Sequence, residues 1–262
     1  MNGELIVLAR RVLQSALKKT ALRCGGAVLE DPGLLMVAGT HPCPVLVNSV
    51  FRTGLIDPAL VLERADAFFR VRRHLYELWT LSGADEDLEA AALGSGMRLA
   101  AALSGMIIRD CPPPPELDRD VELRSVRQLV DIRDFSTIVA DGFRNEGPGM
   151  ADLVRATLAG PVMLLAQDTE AVIVLKQGEP VAAAMTMVED AVAWIGWVAT
   201  REASRGHGFG SVAAAAATRA AFARGARLVS LEATKMGGGI YSRMGYREIL
   251  KYRTYWPPEQ PH

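Results

Sequence analysis

Only three cysteines, Cys24, Cys43 and Cys111, occur in 262 residues, too few and too scattered for a disulfide framework. None forms a C-x-x-C pair, and the four histidines supply no ligand spacing such as H-E-x-x-H, so no metal is expected. An excess of charge is lacking too. Lys and Arg number 29 against 30 Asp and Glu, which leaves no electrostatic footprint for nucleic acid. No apolar run reaches the roughly 18–20 residues of a membrane span, so no membrane partner is expected. In the opening stretch LIVLARRVLQSALKKTAL, Arg10 and Arg11 fall where a secretory leader needs its apolar segment. The stretch reads as an amphipathic helix with Leu5, Leu8, Val12 and Leu13 on one face, a mitochondrial transit peptide being the competing reading. The expectation is a reduced, cytoplasmic protein. Its cations are mostly arginine beside many Ala and Gly, a composition of GC-rich bacterial coding.

What is present is globular: 50% hydrophobic and 23% charged residues, enough for the core of one large or two modest domains. The clearest punctuation is Cys111 followed by Pro112, Pro113, Pro114 and Pro115, a stiff extended tract that can be neither helix interior nor central strand. A cut there predicts an α+β N-terminal domain over 1–115 and a second domain over 116–262. In the first, Leu34 to Gly39, Val45 to Gly54, Leu75 to Leu81 and Leu103 to Arg109 read as strands. Asp57-Pro58 opens a helix to about His74, with Asp as cap and Pro in the first turn, and Ser82 to Ala92 reads as another.

The second domain is more regular. A strand, Val121 to Val126, precedes a helix, Gln128 to Phe143, a loop over 145–149 and a short helix from Ala151 to Leu158. Three strands follow, Ala171 to Lys176, Val181 to Val188 and Ala191 to Thr200, joined by hairpin-type turns at Gln177-Gly178 and Glu189-Asp190. An Ala-rich helix, Ser211 to Arg224, a strand, Leu228 to Ala233, a short helix, Gly238 to Met244, and a last strand, Tyr246 to Tyr255, complete it. The fold class is therefore α/β in the wider, α+β sense: a mixed, mostly antiparallel sheet flanked by helices.

Between the strand ending at Thr200 and the Ala-rich helix stands Arg205-Gly206-His207-Gly208-Phe209-Gly210, then Ser211. Glycines let several N–H groups converge on one spot, and the helix N-terminus adds about half a positive charge, which together make a site for a pyrophosphate. The segment lacks the lysine of a P-loop and the spacing of a dinucleotide fingerprint; it fits Arg-x-x-Gly-x-Gly, and a plain structural turn is the alternative. Downstream comes Ile240-Tyr241-Ser242-Arg243-Met244-Gly245-Tyr246.

With these two motifs the sequence resembles the GNAT superfamily of acetyl-CoA-dependent N-acetyltransferases, over Val121 to about Tyr255. The resemblance implies a V-shaped opening where Val198, Ala199 and Thr200 end a strand, pair with the pantetheine arm and polarise the thioester oxygen. It implies that Arg205 to Ser211 hold the pyrophosphate. Thr234 matches a position where many members carry a cofactor-contacting Asn; Thr keeps a hydroxyl and loses the amide. Tyr241 matches the tyrosine that commonly protonates the departing thiolate. The runs VATREASRGHGFG and LEATKMGGGIYSRMGYRE, behind an extra α/β domain, further resemble bacterial GNAT proteins with a non-catalytic front half, here with the helix, strand, helix, strand order of a degenerate GNAT half that lacks the Gly loop.

Glu232 borders the expected cleft and is a candidate proton acceptor for the amine, beside Glu189, Asp190, water or a front-domain residue. Trp194 and Trp197 read as packing, a substrate cage being the alternative, and His207 as facing water, contact with a phosphate being the alternative. His41 and Cys43, held by Pro42 and Pro44, read as a rigid turn rather than a nucleophile pair. The function implied is direct acetyl transfer from acetyl-CoA to an amine of a small molecule or peptide. A non-catalytic acyl-CoA sensor or partner-binding protein on the same fold is the alternative, and both a monomer and a homodimer are open. The acceptor is not legible: the loop Arg144 to Met150 has no diagnostic residue.

Overall fold

The computed structural model of the chain describes residues 2–44, 47–145, 149–235 and 237–258. Parts of two expected elements, at 45–46 in the second strand and 146–148 in the loop after the Gln128 helix, lie outside the described residues. The front half contains α1 (Asn2–Arg23), β1 (Ala27–Asp31), β2 (Leu34–Ala38), β3 (Ser49–Arg52), α2 (Pro58–Arg70), β4 (Glu77–Leu81), α3 (Glu86–Gly94) and β5 (Arg98–Ile108). The back half contains β6 (Val121–Ser125), α4 (Leu129–Gly142), α5 (Met150–Leu158), α6 (Pro161–Leu164), β7 (Thr169–Lys176), β8 (Glu179–Glu189) and β9 (Val192–Thr200). It continues with α7 (Phe209–Ala223), β10 (Leu228–Ala233), α8 (Gly238–Arg243) and β11 (Arg247–Trp256). Among the described residues no helix is long and apolar enough to cross a membrane.

Local chemistry explains most boundaries. Asp57 caps α2, its carboxylate accepting from the Ala59 and Leu60 N–H groups. That helix stops at Arg70, short of His74, because Arg73 turns left-handed at φ 55° and the His74 N–H returns to the Phe69 carbonyl. Gln177 and Gly178 both take positive φ, the two-residue turn that suits the twist of β7 and β8. β5 begins at Arg98, five residues before the expected start, because its first half pairs with β11.

All strands join one sheet in the order β1-β2-β3-β4-β11-β5-β10-β9-β8-β7-β6. Its centre crosses the proline tract: β5, from before the prolines, lies antiparallel between β10 and β11, from after them. The two halves repeat one connectivity. β9, α7, parallel β10, α8 and β11 follow in the back half as β3, α2, parallel β4, α3 and β5 do in the front. Each half's last strand lies beside the other half's parallel pair, β5 on β10 and β11 on β4. From β5 to β6 the chain must pass β10, β9, β8 and β7, about 24 Å at ordinary strand spacing. The proline tract makes that passage, held to α7 by Arg219, which donates to the Pro112 carbonyl at 2.6 Å.

One face of the sheet is covered by α1 and α4 to α6, which bury Leu13, Phe135, Val154 and Leu164 with Trp79, Trp194, Leu250 and Tyr252. The other carries α7 at the back half, with Phe209, Ala213 and Ala217, and α2 at the front half, with Val61, Ala65 and Phe69.

Candidate functional site

β9 and β10 start as a parallel pair but their ladder ends at Ser230↔Trp194. Beyond it β9 runs on to Thr200 and β10 to Ala233 without register partners on their facing edges. A bulge produces the divergence. On the β8 side the register passes from Met185↔Gly196 to Ala183↔Ala199, and Trp197 takes φ 53°, rare for a bulky residue. Val198, Ala199 and Thr200 thus lie on the stretch of β9 beyond the end of that ladder.

The loop leaving Thr200 is fastened at both ends. The Glu202 N–H donates to Asp141 at 2.9 Å, and Arg205 donates to the Gly142 carbonyl at 2.7 Å, so the Arg205 guanidinium is committed to α4. Gly142 allows this approach, since a Cβ there would lie 2.9 Å from that of Ala199. Gly206 and Gly208 take φ of 83° and 81°, and an added Cβ at either would meet nothing within 4 Å: backbone angle, not crowding, requires glycine, and the space is open. Gly208 caps α7 with no side chain, no acid occupies the first turn, and the first N–H to return to the helix is that of Val212. The preceding N–H groups of Phe209, Gly210 and Ser211 are therefore presented at a positive helix end. Gly210 lets α7 close on β9, where a Cβ would meet the Thr200 Oγ1 at 2.8 Å. The Phe209 ring is buried in the core and serves as the anchor, so only its backbone faces the loop; His207 is exposed and stacks on it.

Across the opening stand Glu232 and Tyr241. The Glu232 carboxylate accepts from Trp194 Nε1 at 2.7 Å through Oε2, while Oε1 is buried without a partner. Burial raises its pKa to about 7, against the opposing pull of the Trp194 hydrogen bond. Tyr241 packs edge-on against Tyr246, whose hydroxyl is paired with Thr218 at 2.7 Å. Burial and then the Glu232 charge push the Tyr241 hydroxyl up to about 12. Thr234 is exposed and accepts from the Gly237 N–H at 3.3 Å, at the turn into α8.

The other candidates are tied elsewhere. Although burial opposes it, Ser15 and Lys19 hold the Glu189 carboxyl below the usual range, and Asp190 meets Arg11 at 3.6 Å. His41 Nδ1 accepts from the Cys43 N–H, and the Cys43 sulfur lies 3.6 Å from that of Met150, a packed turn. Sequence reasoning undervalued Trp194. The signal was Gly196 two residues on: a Cβ there would lie 1.8 Å from the indole, so the ring lies over a bare backbone and reaches Glu232. Among the described residues no group of His, Cys, Asp or Glu could hold a metal ion.

The site thus combines a splayed parallel pair with a glycine loop and an uncapped helix N-terminus at its mouth, in a mixed α/β fold. Residues 138–246 match the model of the acetyltransferase (GNAT) family. In structure the whole chain is similar to a GCN5-related N-acetyltransferase from Kribbella flavida, at 21% identity, TM-score 0.74, and 97% and 96% coverage of the two chains. It is also similar to a GCN5-related N-acetyltransferase from Sphaerobacter thermophilus (17%, TM-score 0.64, 88% and 79%). A tandem GNAT protein from the clavulanic acid biosynthesis pathway shares the fold as well (13%, TM-score 0.57, 87% and 78%). No curated protein matches the sequence.

Proposed function

We propose that the protein transfers the acetyl group of acetyl-CoA to a primary amine by direct attack, with Glu232 as general base and Tyr241 as general acid. The observation that carries this is the buried Glu232 carboxylate, with one free oxygen and a pKa near 7, beside a tyrosine that keeps its proton. A base poised near the working pH is ionised often enough to accept a proton from an ammonium and basic enough to do so.

The residues fit acetyl-CoA, which supplies an activated acetyl thioester when bound. The free edge at Val198 to Thr200 can pair with the pantetheine amides, and the backbone of Arg205 to Ser211 can hold the pyrophosphate, with Thr234 offering a hydroxyl. An N–H at the splayed edge polarises the carbonyl oxygen. Glu232 takes the proton of the amine. Once neutral, it no longer adds its charge to what holds the Tyr241 proton, and that hydroxyl moves toward the ordinary tyrosine pKa of about 10, ready to protonate sulfur. We further read 1–115 as a degenerate GNAT-like half and 116–262 as the active one, joined through the exchanged strands β5 and β11.

Thiol release from acetyl-CoA, measured across amines, amino acids, polyamines, aminoglycosides and peptide N-termini, tests the reading. Turnover with at least one amine, with kcat/KM rising through about pH 7 and that limb lost in Glu232→Gln, is expected. Tight acetyl-CoA binding without any turnover would overturn catalysis and leave a sensor.

A further inference from the structure

The polar contacts of α1 are concentrated toward its C-terminus. There Ser15 and Lys19 hold Glu189 at the end of β8, and Lys19 and Arg23 hold Asp168 before β7. Toward the N-terminus that fastening stops. Leu5, Leu8 and Val12, the face expected to be apolar, look instead onto the starts of β9 and β10 across a cavity of about 460 Å³. Its floor is apolar, with Leu8 and Val12 from the helix and Val192 and Leu228 from the strands, where Leu228↔Val192 is the first pair of the parallel ladder. A cavity of that size and lining suits a small molecule.

The rim is charged and reaches solvent. Glu4, Arg11, Asp190, Arg109 and Arg227 line it, and all five are exposed, which gives the cavity an entry path. Arg109 follows β5 one position past the Val229↔Ile108 pair, and the Arg227 N–H donates to the Ala191 carbonyl at 2.7 Å, so strand pairing brings both arginines to this corner. Within the described residues no hydrogen bond or ion pair engages either of their guanidinium groups or the Glu4 carboxylate, and Asp190 meets Arg11 only at 3.6 Å. Unpaired surface charges are ordinary by themselves. Here, however, available charges of both signs ring one apolar floor. With Glu189, the lining holds three acids against three arginines, so net charge favours neither a bare anion nor a bare cation.

We propose that this cavity binds a free amino acid with an apolar side chain. Arg109 and Arg227 receive its carboxylate in charge-assisted hydrogen bonds, Glu4 and Asp190 receive its ammonium, and the floor takes its side chain. A simple carboxylic acid would leave the two acids facing its charge, and a simple amine would leave the two arginines unmatched. The site is separate from the cleft. Val192 lies six positions before Val198 and eight before Thr200, about 20 and 26 Å along β9 at ordinary strand rise. It also joins the halves, since α1 and Arg109 come from the front and Val192, Arg227 and Leu228 from the back. The proposal does not depend on the transferase reading.

Calorimetry on the full chain without CoA tests it, with L-leucine, L-phenylalanine, 4-methylpentanoate, 3-methylbutylamine and glycine as probes. Leucine or phenylalanine is expected to bind at one per chain and to raise Tm. The other three should bind at least about tenfold more weakly, each lacking the ammonium, the carboxylate or the apolar body. Arg109→Gln and Arg227→Gln should each weaken amino-acid binding about tenfold. Both side chains are exposed and partnerless, so the ligand-free Tm should stay that of wild type. Glu232→Gln, in the cleft, should leave the affinity unchanged. No binding of either amino acid overturns the proposal, as does 4-methylpentanoate or 3-methylbutylamine binding as tightly as leucine. Binding that ignores both arginine variants but is lost in Glu232→Gln would place the amino acid in the cleft and overturn it too. Thiol release from acetyl-CoA with some amine, alongside any of these failures, would leave the transferase reading standing.

Discussion

The N-termini of α2 and α7 occupy the same place in the two halves, between two parallel strands, yet they are chemically opposite. Before α7 two left-handed glycines leave the first N–H groups bare at the mouth of a splayed strand pair. Before α2 the connection is short, and the Asp57 carboxylate already accepts from the first turn. An anion approaching α2 would meet a carboxylate on the donors it needs. Its strands do not part either: β3 and β4 stay in register from Ser49↔Glu77 to Phe51↔Trp79, and Arg52 at the end of β3 is locked to Asp85 and Asp87. The same connectivity thus yields one open strand pair before an uncapped helix and one copy whose helix is capped by a carboxylate. The fold offers the place, and a cap decides whether it is a site.

Four experiments would break or sharpen that contrast, in order of expected effect. Deleting 1–115 removes β5 from between β10 and β11, and the remainder is expected to lose its cooperative fold. Circular dichroism and size exclusion would show this, and a soluble, folded 116–262 would show that the halves are independent. Next, Tyr241→Phe keeps the ring against Tyr246 and removes the proton, so kcat is expected to fall about 10²–10⁴-fold with acetyl-CoA affinity unchanged. A near-wild-type rate would leave solvent as the acid.

The third is Gly208→Val. A Cβ finds open space there, but a branched residue resists φ 81°, a strain of about 1–3 kcal/mol, so CoA affinity should drop roughly 10–100-fold and the ligand-induced rise in Tm should shrink. Unchanged affinity would remove the loop from the site. The smallest effect belongs to the front half. Asp57→Ala should cost about 1 kcal/mol of stability and leave calorimetric binding at one CoA per chain. A second CoA in that variant would show that the cap alone had closed the copy.

pH adds an independent handle on Glu232. Its folded pKa is raised above the unfolded value, so the stability it contributes is fully present below about pH 4.5 and is lost as pH rises through about 7. Activity runs the other way, because the base must be ionised. Glu232→Gln should therefore lose less Tm than wild type as pH rises from about 4.5 to 7, while losing turnover.

Much of this was legible along the chain because the signals are local. Alternation gave β7, β8 and β9, the Asp-Pro pair gave the start of α2, and the spacing from Arg205 to Gly210 marked the loop in which Gly206 and Gly208 take positive φ. β1, half-exposed and ending in Glu30-Asp31, carried no apolar alternation and was missed, as was the four-residue α6. The proline tract was read as a boundary between domains. In the structure it bridges strands of one continuous sheet.

The sequence by itself determined most of the element order, the glycine loop and the candidate tyrosine, since turn chemistry, periodicity and glycine conformation act over a few residues. Tertiary structure alone decided which strands are neighbours and what surrounds Glu232. Interleaving β5 with β11 depends on pairings between residues more than a hundred positions apart. The weakened acidity of Glu232 arises from burial beneath a face built by both halves, against the opposing hydrogen bond from Trp194 of the neighbouring strand. A carboxylate's chemistry is set by its solvent and its neighbours, and a sequence position names neither.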